Sequence, residues 1–292
     1  MNKSLKIKIF TRSANIELYT YSKKLTGNKF PKVRLRNTTA DGYFYEILSD
    51  LECDVAINID EDAFLIDEDA LMDLVNYVVE NNYVNAGMPD GGMLQVRAFN
   101  PIITNPFFNV LNLKLIREKF SLEEIQNFDY AAHKDELMKK FPKELLAFEN
   151  NGFDYDNYEP FYPFFFWLAY NFKTLYLQGV EHNDGISTIL HNHTGKPFLY
   201  HSWWSRVYNT DSYHHKRIQA LIHEAYALQG IPCKKSCVIL LARKIEFAWQ
   251  NFKIDWEHFW ILGKGAWLYR HIKKSPMHYI RRTKELLFKR SN

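Results

Sequence analysis

An acidic triplet, Asp60-Glu61-Asp62, is the part of the sequence whose residue types most directly suggest chemistry. It follows the mostly apolar run 55–59 and precedes the apolar run 64–66. Two carboxylates separated by one residue can both face a divalent cation where a strand opens into a loop, and oxygen ligands suit Mg²⁺ or Mn²⁺. The spacing therefore predicts a metal site at Asp60 and Asp62. The alternative is a solvated acidic turn that caps the following helix.

The elements around the triplet follow an alternating order. Residues 6–10 have the pattern of a strand that ends in Thr11-Arg12-Ser13, and a helix is predicted over 14–24. A buried strand over 53–59 is followed by a helix from about Glu68, for which Asp67 is the expected cap. Alternating strands and helices predict an α/β fold with a mostly parallel sheet, and ligands of such sheets bind at the carboxyl ends of strands. The triplet stands at such an end.

The segment from Cys53 to Leu65 resembles the metal-binding segment of the GT-A fold glycosyltransferases, whose hallmark is an Asp-x-Asp at the end of a central strand. The similarity covers roughly residues 5 to 205. It implies a Rossmann-like, mostly parallel sheet flanked by helices, with Mn²⁺ or Mg²⁺ held by Asp60 and Asp62. It also implies a nucleoside diphosphate sugar, foremost a UDP-sugar, as the donor that Asp60 helps to bind. The expected activity is hexosyl transfer to a glycan or lipid-linked acceptor in surface polysaccharide biosynthesis.

Two further features follow the order of that family. Thr11 and Arg12 end the first strand, where the resemblance places the nucleotide base. Asp90-Gly91-Gly92 occupies the position of the loop that meets the sugar or the acceptor, so Asp90 is a candidate catalytic residue. A surface arginine and a plain glycine turn are the alternatives for these two features.

Glu159 precedes an aromatic helix and resembles the acidic residue that inverting members use as catalytic base. A carboxylate there could take the proton of the acceptor hydroxyl as that hydroxyl attacks the anomeric carbon. Asp154 and Asp156 are competing candidates. Alternatively, Glu159 stabilises only the dipole of its own helix.

A histidine-rich segment runs from 191 to 206. Many members of the family return a late histidine to the metal, which makes His193 and His201 equal candidates, with a purely structural role as the alternative for each. Lys196 and Arg206 are expected to contact phosphate oxygens. The segment also resembles the ending of the retaining, glycogenin-like branch at a different spacing, so the stereochemistry stays open.

The end of the chain differs in charge from the rest. Residues 234–292 hold 14 Lys and Arg against 4 Asp and Glu, a net +10, whereas residues 1–233 carry −7. We therefore expect a catalytic domain over 1–233 and a basic, aromatic helical tail over 234–292. Basic stretches rich in tryptophan lie along membrane interfaces, where a lipid-linked acceptor would be met. The alternative is a helix pair packed on the catalytic domain with a solvated basic face.

Composition limits the location and the other function classes. There is no apolar stretch of signal-peptide length at the start, and three cysteines suggest neither a zinc site nor a disulfide framework. These features predict a cytoplasmic protein, with the inner face of the cytoplasmic membrane as a site of peripheral attachment. A nucleic-acid-binding protein is one alternative, but the acidic body and the lack of a recognition motif argue against nucleic acid as partner. A catalytically silent carbohydrate-binding relative is the other.

Overall fold

The computed structural model describes residues 5–36, 38–90, 100–142, 159–234, 239–246 and 248–249. The chain divides into two compact units, Met1–Ser236 and Cys237–Asn292, and residues 239–246 of the second are helical. Gly91, Gly92, Asp154, Asp156 and most of the predicted basic tail lie outside the described residues. Within the described parts of the chain, no helix is long and apolar enough to cross a membrane.

The first unit alternates strands and helices, as the sequence predicts. Its strands are β1 (Ile7–Arg12), β2 (Lys32–Leu35), β3 (Val55–Ile59), β4 (Ala63–Leu65), β5 (Asn85–Gly87), β6 (Phe108–Asn112), β7 (Thr174–Tyr176), β8 (Gly179–Glu181), β9 (Thr188–His191) and β10 (Pro197–His201). Its helices are α1 (Ile16–Leu25), α2 (Gly42–Ser49), α3 (Glu68–Glu80), α4 (Leu113–Lys119), α5 (Leu122–Gln126), α6 (Tyr130–Lys140), α7 (Tyr162–Asn171) and α8 (Ser212–Leu228).

The larger sheet is mixed rather than mostly parallel. Its strand order is β2-β1-β3-β6-β5-β7, and β6 is antiparallel to both β3 and β5 while the other neighbours are parallel. The chain enters β6 at the carboxyl ends of these neighbours, since Phe107 O accepts from Asp60 N at 2.8 Å and Met88 O accepts from Asn105 N at 2.8 Å. A strand that starts at that edge must run against its neighbours. The predicted α/β class is confirmed, and the mostly parallel sheet is corrected to a mixed one.

Helices cover both faces of this sheet. Ile9 and Ile57 pack into one core with α1, α3 and α8, whereas Phe10 and Ala56 pack into a second core with α2 and α7. Alternate residues of β1 and β3 therefore face opposite layers, which explains why the run 55–59 is buried throughout, Asn58 included. The expected cap of α3 is confirmed, because Asp67 Oδ1 accepts from Ala70 N at 2.8 Å.

A smaller sheet, in the order β4-β10-β9-β8, is antiparallel throughout. Its strand β4 begins directly after the acidic triplet, and β10 pairs with it so that His201 lies opposite Ala63. This pairing joins two segments that are about 140 residues apart in the chain. It brings one end of the histidine-rich segment to the triplet.

The path of the chain creates a crevice between β1 and β3. From β1 the chain passes through α1 to β2 on one side, and then through α2 to β3 on the other side, with the two helices on opposite faces. The carboxyl ends of β1 and β3 therefore form a topological switch point, where open α/β sheets bind their ligands. Arg12 ends β1 at this point, and Asp60 follows β3.

Candidate functional site

The acidic triplet is a tight turn that connects the two sheets. Ala63 N donates to Asp60 O at 3.1 Å, and Glu61 N donates to Asp60 Oδ1 at 3.0 Å. Glu61 and Asp62 are buried, and Asp60 is partly exposed. Since one turn holds all three carboxyl groups at the switch point, the triplet concentrates negative charge where a ligand is expected.

Glu61 joins the triplet to the loop between β1 and α1. Its Oε2 accepts hydrogen bonds from Ser13 Oγ at 2.7 Å and from Asn15 N at 2.6 Å. Asn15 is also the cap of α1, and Arg34 Nε donates to Ser13 Oγ at 3.0 Å. The middle residue of the Asp-x-Asp pattern thus fixes the position of the turn relative to β1. Spacing alone gave no sign of this role.

Burial and mutual repulsion shift the protonation of these carboxyl groups. Burial, with the charge of Asp62, raises the pKa of Asp60 to about 7. Burial and the charge of Asp60 raise the pKa of Glu61 to about 8. For Asp62, burial acts in the same direction, but the charge and hydrogen bond of His201 outweigh it and lower the pKa. Such a site favours a cation, since a cation would offset the repulsion that these shifts express.

His201 lies against the triplet at the end of β10. Its Nε2 is 3.5 Å from Asp62 Oδ1, and its ring stacks on Phe107 at a centroid distance of 4.1 Å. The side chain is buried, and its Nδ1 has no hydrogen-bond partner among the described residues. The structure therefore brings His201, one of the two candidate histidines, to the predicted metal site.

Two arginines flank the carboxylates. The positive charges of Arg12 and Arg206 both lower the pKa of Asp60, although less than burial raises it. Arg12 also lies over the ring of Tyr43, at 5.8 Å from the ring centroid. Arg206 belongs to a 3₁₀ turn, Ser205–Val207. The hydroxyl of Ser205 in this turn donates to the carboxylate of Asp62. Guanidinium groups are well suited to bind phosphate oxygens.

Asp90 lies on the same edge of the sheet, three residues after β5. It is 2% exposed, and its carboxylate accepts from Asn105 Nδ2 and from the Tyr162 hydroxyl, both at 2.7 Å. Tyr162 N donates to Glu159 O at 3.0 Å, just before α7 begins. Both catalytic candidates, Asp90 and Glu159, therefore contact the same tyrosine. Thr11 is buried within β1.

The structure does not bring Lys196 and His193 to the triplet. Lys196 Nζ pairs with Asp67 Oδ2 at 2.8 Å, and His193 stacks on Tyr77 at a centroid distance of 4.0 Å. Both precede β10, whereas His201 ends it, and five residues of strand span roughly 16 Å. The direction of β10 therefore places Lys196 and His193 far from His201 and Arg206, although the sequence predicts one site for all four.

The turn after β10 has a backbone that the sequence did not predict. Trp203 and Trp204 have φ of 57° and 62°, in the left-handed region that bulky residues seldom adopt. Buried Arg217 of α8 donates from Nη2 to Ser202 O at 2.6 Å and to Trp203 O at 3.1 Å. Residues held in such conformations cluster at functional sites. Tryptophan carries no turn signal, so only its position between His201 and Arg206 marked this segment in the sequence.

The residues present suit a divalent cation that is shared with a ligand. Within the described ranges, no group of three His, Cys, Asp or Glu side chains is placed to hold a metal ion by itself. Mg²⁺ is commonly bound through one or two carboxylates, with waters and substrate phosphates completing its shell. Asp60 and Asp62 supply that donor set, and Arg12 and Arg206 stand where a phosphate could complete it.

Comparison with known proteins gives little beyond this geometry. No protein-family model matches the chain, and no curated protein matches it. Among solved structures, the chain is similar to A197 from STIV, known from a crystal structure, at 14% sequence identity and a TM-score of 0.32. The match covers 67% of this chain and 94% of that chain. A likeness at this level carries no argument, so the function is inferred from the site.

Proposed function

We propose that the chain is a metal-dependent glycosyltransferase of the GT-A type, which moves a sugar from a nucleoside diphosphate sugar to a glycan or lipid-linked acceptor. One observation carries the proposal. The repelling carboxylates of Asp60 and Asp62 and the cationic side chains of Arg12 and Arg206 share the switch point between β1 and β3. A metal-bound diphosphate requires carboxylates that bind the cation and, beside them, positive groups that bind the phosphate oxygens.

On this proposal, Asp60 and Asp62 hold Mn²⁺ or Mg²⁺, which when bound offsets the charge on the leaving diphosphate. Arg12 and Arg206 contact the phosphate oxygens and orient the donor. His201, held by Phe107 and Asp62, completes the wall of the site. The nucleotide base, with uridine as the first expectation, would lie near the end of β1, where Arg12 covers Tyr43.

The acceptor hydroxyl attacks the anomeric carbon, its proton passes to a carboxylate, and the bond between the sugar and the diphosphate breaks. Glu159 is the proposed base, because it is partly exposed and contacts Tyr162, which also bonds to Asp90. Asp90 is held by two hydrogen bonds, so we propose that it orients the sugar or the acceptor. Glu159→Gln should abolish transfer and spare donor binding. If that variant retains full activity, Glu159 is not the base.

Donor binding can be tested by thermal shift of the full chain with UDP, GDP, ADP, CDP or dTDP, each with and without Mn²⁺. A ligand at about a hundredfold its Kd stabilises the folded state by roughly 2.7 kcal/mol. We expect one nucleotide to raise Tm only when Mn²⁺ is present, and Asp62→Asn to remove that shift. Glu52→Gln is the matched control, because its side chain is 81% exposed.

The two alternatives to this proposal give different results. A catalytically silent carbohydrate-binding relative would show no metal-dependent nucleotide shift and no release of nucleoside diphosphate from a donor sugar. A nucleic-acid-binding protein would instead bind DNA or RNA with a strong salt dependence. An unshifted Tm with every nucleotide would contradict the glycosyltransferase proposal.

We further propose that the protein works in the cytoplasm and attaches to the membrane surface through residues 234–292, which carry a net +10. Deleting residues 240–292 should release the protein from vesicles that contain anionic lipid, since each basic residue near such a surface contributes about 1 kcal/mol. Unchanged vesicle binding by the truncated chain would contradict the attachment.

A further inference from the structure

Three aromatic side chains form a cluster beside the candidate site, with two of them exposed and His214 partly buried. Trp204 and Tyr213 are 51% and 59% exposed. The ring of His214 stacks on Trp204 at a centroid distance of 5.5 Å and meets Tyr213 edge to face at 5.2 Å. We call Trp204, Tyr213 and His214 the aromatic cluster. A single exposed apolar residue would need no explanation, but three rings in contact form a surface.

The protein maintains the position of Trp204 against a backbone preference. Its φ is 62°, and that of Trp203 is 57°. Arg217 stabilises the turn by its hydrogen bonds to Ser202 O and Trp203 O. A backbone in this region persists only when its surroundings determine it.

Arg217 is itself fixed by the loop between β8 and β9. Its Nη1 donates to Asp184 Oδ2 at 3.1 Å and to Ser187 Oγ at 2.6 Å. The indole of Trp203 is anchored separately, with Nε1 donating to Thr188 Oγ1 at 3.0 Å. Trp203 is thus buried and hydrogen-bonded to Thr188, whereas the neighbouring indole of Trp204 is exposed to solvent.

The same turn contacts the acidic triplet at both ends. Ser202 N donates to Asp62 O at 3.0 Å, and Ser205 contacts the Asp62 carboxylate. Trp204 therefore stands between two residues that touch the proposed metal loop, and Arg206 follows beside Asp60. A group bound on Trp204 would lie at the edge of the donor site.

We propose that the aromatic cluster is the acceptor subsite and that it binds one pyranose ring of the acceptor glycan; this inference rests on the proposed function. A pyranose presents C–H groups on one face and hydroxyls around its rim. The C–H groups suit the negative face of an indole, and the rim suits polar neighbours. Trp204 offers the face, and the exposed side chains of Tyr213 and Arg206 offer the polar groups.

The test is saturation-transfer NMR of the full chain with the methyl glycosides of glucose, galactose, mannose and N-acetylglucosamine. We expect at least one glycoside to receive magnetisation on its ring protons. Trp204→Ala should weaken that binding about tenfold, as expected for loss of one contact with an aromatic face. Trp204→Phe should retain most of it, and Leu51→Ala, at an 81% exposed position outside the site, should leave it unchanged.

A second variant separates binding from folding. Trp204→Gly removes the ring but adopts a positive φ without strain, so it should keep or raise Tm while it loses the glycoside. The subsite is refuted if no glycoside binds the wild-type chain, or if Trp204→Gly binds as well as the wild type. Failure of the proposed function is distinguishable, because it appears as absence of the Mn²⁺-dependent nucleotide shift, which Trp204→Gly should not change.

Discussion

Replacing Asp60 by asparagine should stabilise the metal-free protein at alkaline pH. Asparagine keeps the Oδ1 atom that accepts from Glu61 N at 3.0 Å, and it removes the charge that faces Asp62. The folded protein holds Asp60 at a pKa of about 7 against an ordinary 3.8. Its ionisation therefore destabilises the fold progressively above pH 3.8, and the full effect is reached above pH 7.

The size of the effect follows from that shift. At roughly 1.4 kcal/mol per pKa unit, the full difference is about 4 kcal/mol. Asp60 is partly exposed and shares its repulsion with Asp62, so we expect about 1.5 kcal/mol of this after solvent screening. For a chain of this size that gain raises Tm by roughly 3 to 6 °C.

The assay is thermal unfolding of the wild type and Asp60→Asn in EDTA at pH 8 and at pH 5, followed by addition of Mn²⁺ at pH 8. The gain of the variant should shrink to less than half at pH 5, where most of the wild-type carboxyl group is protonated. Mn²⁺ should raise Tm of the wild type and leave Asp60→Asn unchanged. A variant that is less stable than the wild type in EDTA at pH 8, or a gain independent of pH, would refute the reasoning.

Two further predictions concern the scaffold. Hydrogen bonds from Ser187, Ile186 and Arg217 outweigh burial and lower the pKa of Asp184 to about 2. This stabilisation is present above pH 3.8 and is lost as pH falls towards 2. Asp184→Asn should therefore lower the free energy of unfolding by on the order of 1 kcal/mol at pH 7 after screening. Urea unfolding should show a smaller difference between wild type and variant at pH 3 than at pH 7. An equal difference at the two pH values would contradict the prediction. Gly87→Ala would place Cβ 2.7 Å from Asn109 Nδ2 and 2.9 Å from Phe108 O, so it should lower stability by about 1 to 3 kcal/mol. Gly185→Ala, with no atom within 4 Å but φ of +70°, measures backbone strain alone, and equal losses in the two variants would show that crowding at Gly87 is tolerated.

Short-range patterns in the sequence predicted much of the scaffold. The mostly apolar run 55–59 followed by the triplet predicted a buried strand that ends in carboxylates, and the structure has β3 there. The helix after Asp67 begins at Glu68, as predicted, and has its predicted cap. Such features depend on neighbours within a few residues, so periodicity and capping chemistry are enough to identify them.

Contacts between residues far apart in the sequence could be identified only from the fold. Spacing gave His193 and His201 equal weight, and only the pairing of β10 with β4 puts His201 beside Asp62 and His193 on Tyr77. The antiparallel β6 also escaped prediction, because strand direction depends on where the chain re-enters the sheet.

The sequence by itself determined the α/β class, the acidic turn at a strand end and the charge difference between the two parts of the chain. The tertiary structure decided which charged groups meet at the crevice, how Glu61 is held, and that Arg217 keeps Trp204 at the surface. The physical reason is that electrostatic and hydrogen-bond interactions act over a few ångströms in space. A linear sequence specifies only which neighbours share a strand or a helix turn.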